Sequence, residues 1–224
     1  MLCAMYFITY LDRVNVSTAA VGFGPEFGLS KTEIGIVFSA FAYPYLVFQI
    51  IGGWVSDRFG AKRTLVVCGI IWAAATVMTG LAGGFVSLII ARVLLGLGEG
   101  ATFPAATAAM SRWVPKEKRG FAQGITHAFA RLGNALAPAA MIAIMATYGW
   151  RESFYVCAVI SFIWVALWAL VFTELPKNHP RISQQELDSL PAPKVKNKDP
   201  LPWGRLFKRM APVTIVYFLS LIHI

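Results

Sequence analysis

Long runs of apolar residues alternate along this chain with short polar or glycine-rich joints. A helix needs about 20 apolar residues to cross a hydrocarbon core roughly 30 Å thick, and these runs have that length. Strand-type alternation is absent, which excludes a porin-like barrel. The pattern predicts six spanning helices, over about 1–24, 33–56, 64–83, 85–110, 119–146 and 150–173, and the beginning of a seventh near 212. The joints fall at 22–31, 57–63, 83–84, 112–120 and 148–152, followed by a long polar stretch over 174–210. Residues 175–211 are rich in Pro, Lys and Asp and read as a linker, with a short amphipathic helix around Ser183 to Leu190. The expected organisation is a helical membrane bundle over 1–174, the linker over 175–211, and the first part of helix seven over 212–224. That last segment is too short to span a bilayer, and Met1 sits at or inside the first span. The expectation is therefore of a truncated chain, one half of a longer protein.

Composition agrees with lipid as the solvent: 57% of residues are hydrophobic and 14% charged, where soluble domains carry about a quarter charged. Cys3, Cys68 and Cys157 are scattered through apolar runs without CxxC spacing, so they read as small helix residues rather than disulfides or metal ligands. The first run is a spanning helix and not a cleavable leader, because Asp12 and Arg13 interrupt its middle. Of 20 Lys and Arg, only Lys31 and Arg151 lie in the odd-numbered joints and Arg13, Arg92 and Arg131 lie inside spans. The other fifteen crowd the joints after spans two, four and six. By the positive-inside rule the amino terminus and the linker are cytoplasmic, in the inner (plasma) membrane, with multiple passes. The net charge of +9 is thereby accounted for without a nucleic-acid partner.

Asp12, Arg13, Arg92, Glu99 and Arg131 lie well inside predicted spans. A charge at the bilayer centre costs on the order of 3 kcal/mol, so such groups face a watery cavity or one another. Arg92 and Glu99 are two turns apart on one face, and His127, Arg131 and Asn134 share a face of the fifth span. One reading is a shared central cavity; the other is a set of structural ion pairs that fasten helices together. His127 is equally compatible with a helix–helix hydrogen bond and with proton carriage. Glycines at 96, 98, 100, 124 and 133, with Pro104 and Pro138, suit close helix packing and bends. Enzyme chemistry has no support: there is no nucleophile–base pair, metal cluster or nucleotide loop, and no cofactor is expected.

The joint after span two reads Gly53-Trp-Val-Ser-Asp57-Arg58-Phe-Gly60-Ala-Lys62-Arg63. It resembles the signature between helices two and three of the major facilitator superfamily. The resemblance implies the amino-terminal six-helix half of a twelve-helix fold, an all-α integral membrane bundle. In that family Gly53, Asp57, Arg58, Gly60, Lys62 and Arg63 match a cytoplasmic gate that locks and releases the two halves. A purely topological basic loop is the alternative. Physically, Gly60 permits a tight turn, and Asp57 is suited to the start of a neighbouring helix or to an arginine.

Tyr10-Leu-Asp12-Arg13-Val-Asn15, Phe38-Ser-Ala-Phe41-Ala-Tyr43-Pro-Tyr45, and the run from Arg92 through Gly96, Gly98, Glu99, Gly100 and Phe103 to Pro104 resemble the anion:cation symporter family. That family includes hexuronate, glucarate and galactonate permeases. The resemblance implies proton-coupled symport of small organic anions such as sugar acids and other carboxylates. It implies that Arg13 and Tyr45 contact substrate, that Asp12 and Glu99 titrate, and that Arg92 couples the two; Arg131, beside the cavity face, is a further candidate for substrate binding. A glutamine of some sugar-acid carriers is replaced here by Ala130, with Arg131 next to it. The implied partners are a small carboxylate, protons, the bilayer and the missing carboxy-terminal half. Two other readings stand beside this one: a drug or cation exporter of the same superfamily, and a membrane fragment that transports nothing.

Overall fold

The computed structural model describes residues 1–180, 182–190 and 208. The chain divides into two units, Met1–Pro191 and Ala192–Ile224, and the description that follows is of the first. Its helices are α1 (Leu2–Glu26), α2 (Lys31–Ser39), α3 (Ala42–Phe59), α4 (Ala61–Gly80), α5 (Phe85–Gly100), α6 (Thr102–Trp113), α7 (Arg119–Tyr148), α8 (Trp150–Val171) and the short α9 (Gln184–Ser189). Among the described residues there is no strand. A helix, whole or broken, lies over each of the six ranges expected to span, and the helix expected around Ser183 to Leu190 is α9, opened by a reciprocal cap between Ser183 and Glu186. The expected start of helix seven lies outside the described residues.

Two of the spans are broken in the middle, each for the same reason. Span two divides into α2 and α3 at Ala40–Phe41, and span four into α5 and α6 at Ala101. Pro44 and Pro104 follow these breaks within the next turn. A proline lacks the N–H that would bond four residues back, and its ring crowds that carbonyl, so each helix restarts. Both continuous stretches, Lys31–Phe59 and Phe85–Trp113, are still long and apolar enough to cross a membrane, as are α4, α7 and α8. Helix α1 has the length but not the hydropathy, since Asp12, Arg13 and Asn15 dilute it; it packs against α7 and α8.

The interior is aromatic. Trp72, Trp164 and Trp168 stack in succession with centroids 5.5 Å apart, among Met5, Tyr6, Leu65 and Leu95. A second cluster joins Val16, Phe23, Val37, Leu88, Trp150 and Phe154. Apolar residues outside these clusters, such as Ile50 and Leu170, point outward, as a lipid-facing surface requires. Helix α5 is clamped through glycines. A Cβ on Gly98 would lie 2.6 Å from the Trp72 amide nitrogen of α4, and one on Gly96 would lie 2.5 Å from the Phe41 carbonyl oxygen at the start of α3.

At the end of the bundle where α1 stops, Glu26 ties three elements together. It accepts from Trp150 Nε1 at 2.7 Å and from Arg151 at 2.9 Å, and Arg151 also donates to the Ala82 carbonyl at 3.3 Å. Hydrogen bonds from Arg151, then from Trp150, hold the Glu26 carboxyl below its ordinary value of 4.5. A group held down in this way stabilises the fold fully above its unfolded value, and the contribution disappears as pH falls through the folded value. The acid limb of the thermal stability curve below about pH 4.5 is expected to flatten in Glu26→Gln, read by unfolding in detergent at stepped pH. Gly98→Ala is expected to cost about 1–3 kcal/mol, as overpacking in a closed core does, whereas Gly83→Ala, with open space around its Cβ, should leave the melting temperature near that of the parent.

Candidate functional site

The prolines that divide spans two and four also shape the region where buried charge collects. Glu99 lies in the last turn of α5, just before the break, and Phe103 follows in the first turn of α6; Phe41 and Tyr45 occupy the first turns of α3. Arg13 reaches this junction from the middle of α1. Its Nε donates to Glu99 Oε2 at 2.6 Å, with Glu99 fully buried. The guanidinium lies over the rings of Tyr45, Tyr10, Phe41 and Phe103, with its carbon 4.5, 5.1, 5.2 and 5.4 Å from the centroids. Four rings around one cation replace part of the hydration it loses, since each ring face is negative.

Arg92 stands on the same helix as Glu99 and is 4% exposed. Its guanidinium carbon lies 4.8 Å from the Phe41 centroid, yet its Nε and Nη1 have no hydrogen-bond acceptor. Glu99 Oε1 and Arg13 Nη2 are also without partners. Two guanidinium groups and one carboxylate therefore converge with donors to spare, a largely buried cluster with an excess of positive charge.

Of the residues expected from sequence, Arg13, Glu99, Arg92 and Tyr45 come together. Asp12 does not join them: it is 2% exposed and turns to α8, where Ser161 Oγ donates to its Oδ2 at 3.4 Å. Arg131 is exposed on α7 with His127 and Asn134, and His127 meets Gln123 at 3.1 Å and stacks against Phe103 at 6.4 Å. The aromatic cage went unread beyond Tyr45, although Tyr10 precedes Arg13 by three residues and Phe103 follows Glu99 by four, both same-face spacings.

The basic joint after span two lies at the far end of α3. Gly60 has φ 94°, where only glycine is at ease, and a Cβ there would fall 2.7 Å from the Glu174 carboxyl carbon. Glu174 takes the place at the helix start for which Asp57 was suited. It accepts from the Ala61 amide at 3.0 Å and the Lys62 amide at 2.7 Å, and it pairs with Arg112 of α6. Asp57 is exposed and makes no ion pair among the described residues, and Arg58 lies over Trp54 at 5.4 Å. Gly53 packs toward Pro104 of α6, while Arg63 is exposed and Lys62 half-buried. Glu174 escaped the sequence reading because a lone acid after a span is ordinary, and only the fold brings it to another helix's amino terminus.

A model of the Major Facilitator Superfamily matches residues 2–224. A probable sulfoacetate transporter of Cupriavidus necator is 49% identical, over 97% of this chain and 51% of its own length. A hexuronate transporter of Bacillus subtilis is 36% identical, over 76% of this chain and 40% of its own. The chain thus spans about half the length of the curated relatives it matches. Among solved structures, a bacterial homologue of the human lysosomal transporter Spinster, inward-facing and unoccupied, aligns with a TM-score of 0.75 at 20% identity, over 94% of this chain and 48% of that one. That likeness shows the fold.

The Glu174 cap yields a stability prediction. Glu174→Ala removes two charge-assisted bonds from the first turn of α4 together with the partner of Arg112, and is expected to cost about 2 kcal/mol, with Glu174→Gln losing less because it keeps acceptors. Thermal unfolding of the two variants side by side checks both the size and the order.

Proposed function

Because the chain belongs to the Major Facilitator Superfamily, we propose that it is the amino-terminal half of a secondary transporter that carries small organic anions together with protons. The observation that carries this reading is the Arg13–Glu99 pair, part-buried in an aromatic cage, with two donors of Arg92 unclaimed beside it. Sulfoacetate and hexuronate, the anions named for two relatives, each present an oxyanion head with a shape that a guanidinium can bind through two parallel hydrogen bonds. A small carboxylate or sulfonate of this kind is the proposed substrate, held by Arg13 and Arg92, with Tyr45 beside Arg13 and Arg131 on the open face of α7.

The coupling follows from charge balance. While Glu99 is ionised it holds Arg13; a proton on Glu99 removes the attraction, and the freed guanidinium takes the substrate's anionic head instead. Release of the anion allows Arg13 to return and the proton to leave. The amino terminus and the joints after spans two, four and six face the cytoplasm in this reading, because fifteen of the 20 Lys and Arg fall in those joints along the sequence. Gly53, Asp57, Arg58, Gly60, Lys62 and Arg63 then form the cytoplasmic gate against the other half, and residues 175–211 link the halves.

In the full-length transporter reconstituted in liposomes, Glu99→Gln is expected to abolish proton-driven anion accumulation and to retain anion exchange. Accumulation at the parent level in that variant would sink the proposal.

A further inference from the structure

A carrier of small organic anions has to meet only one anionic head, and a single arginine serves for that. This cluster holds two. Arg13 and Arg92 both lie over the ring of Phe41, with their guanidinium carbons 5.2 and 4.8 Å from its centroid. The two carbons are therefore separated by no more than those distances taken together, about 10 Å. Arg13 gives its Nε to Glu99 and keeps Nη2 unclaimed. Arg92 is 4% exposed and has neither Nε nor Nη1 taken, while Phe41 offers it only a ring face.

The charges do not balance. Among the described residues Glu99 is the only acid within salt-bridge distance of either arginine, and its Oε2 already serves Arg13. Asp12 acts on Arg92 through charge at longer range, and less than Glu99 does. Two cations against one carboxylate leave one positive charge in excess. A monoanion that displaces a neutralised Glu99 from Arg13 puts back the negative charge that was lost, so the excess stands and Arg92 stays unclaimed. A dianion cancels it, with one head for each guanidinium. An uncompensated ion kept from water is the costly state, and the difference favours the dianion.

Spacing limits the dianion's length. A head held by hydrogen bonds of about 2.8 Å has its central atom roughly 4 Å from the guanidinium carbon. Two such approaches take up most of the separation between the arginines, so heads joined by one or two carbons reach both. Phe41, which the two cations share, gives that linker an apolar surface.

We propose that the site takes a short dianion, with two oxyanion heads one or two carbons apart, and that Arg92 selects it over a monoanion. The proposal rests on the anion-transport reading and narrows its substrate class. Arg13, part-exposed, meets the first head; neutral Glu99 moves aside, and the second head passes inward to Arg92.

The test is calorimetric binding to the purified full-length transporter at neutral pH, where carboxylates are ionised. Three probes are compared. Malonate is the short dianion, monomethyl malonate has nearly its size with one head masked, and adipate sets four carbons between its heads. Malonate is expected to bind tighter than monomethyl malonate by roughly tenfold to a hundredfold, the range of a hydrogen bond to a charged group, and tighter than adipate as well. Arg92→Gln should bring malonate down to the level of its ester, and Arg92→Lys should keep part of the preference. Parity of malonate with monomethyl malonate or with adipate in the parent protein overturns the proposal, as does a preference undiminished in folded Arg92→Gln. A dianion preference in a protein that shows no proton-driven accumulation in liposomes keeps the site and removes the symport reading. Proton-driven uptake of monoanions without that preference does the reverse, and binding of no probe overturns both.

Discussion

A guanidinium and a carboxylate 2.6 Å apart, the carboxylate wholly buried and the guanidinium only 19% exposed, bind the bundle's charged interior into one problem with few solutions. Neither ion is affordable alone at that depth, so the helices that bring them must be placed with little freedom. Helix α1 has to run through the centre to deliver Arg13, which is why it gives up apolar content and hides between α7 and α8. Helix α5 has to approach both neighbours closely to deliver Glu99, which is why it carries glycine where α3 and α4 touch it. The aromatic rings of α1, α3 and α6 close the remaining sides.

That dependence also separates two kinds of buried charge. Arg13 and Glu99 satisfy each other in part and leave donors unclaimed on Arg92, an unbalanced arrangement with a cationic excess. Asp12 sits only one residue from Arg13 and yet belongs to a different neighbourhood, made of hydroxyl, amide and thiol. A single helix thus presents opposite chemistries to two partners, although Glu99 and Arg92 remain near enough to Asp12 to be felt through charge.

The spans and their order could be read from hydropathy, since lipid demands long apolar helices whatever the fold. The pairing of Arg13 with Glu99 was within reach, because five ionisable groups inside spans had few other ways to be satisfied. What the sequence did not reveal was direction. Asp12 and Arg13 look like one acidic–basic unit until the helix separates them, and Glu174 looks like an end-of-span acid until α8 brings it to the first turn of α4. Ser153, Cys157 and Ser161 form a buried polar stripe on α8 with a period of four, but small polar residues are so common in membrane helices that the spacing alone carried no weight.

The matched prolines have a mechanical meaning. Pro44 and Pro104 place two points of low bending stiffness at different depths: Pro44 lies beside Gly96 of α5, whereas Pro104 lies beside Gly53, more than two turns further along α3, next to the contact of Gly52 with Ala101. Each helix therefore has its own bending point, and Glu99 lies on the stretch of chain between the residues that meet them, Gly96 and Pro104.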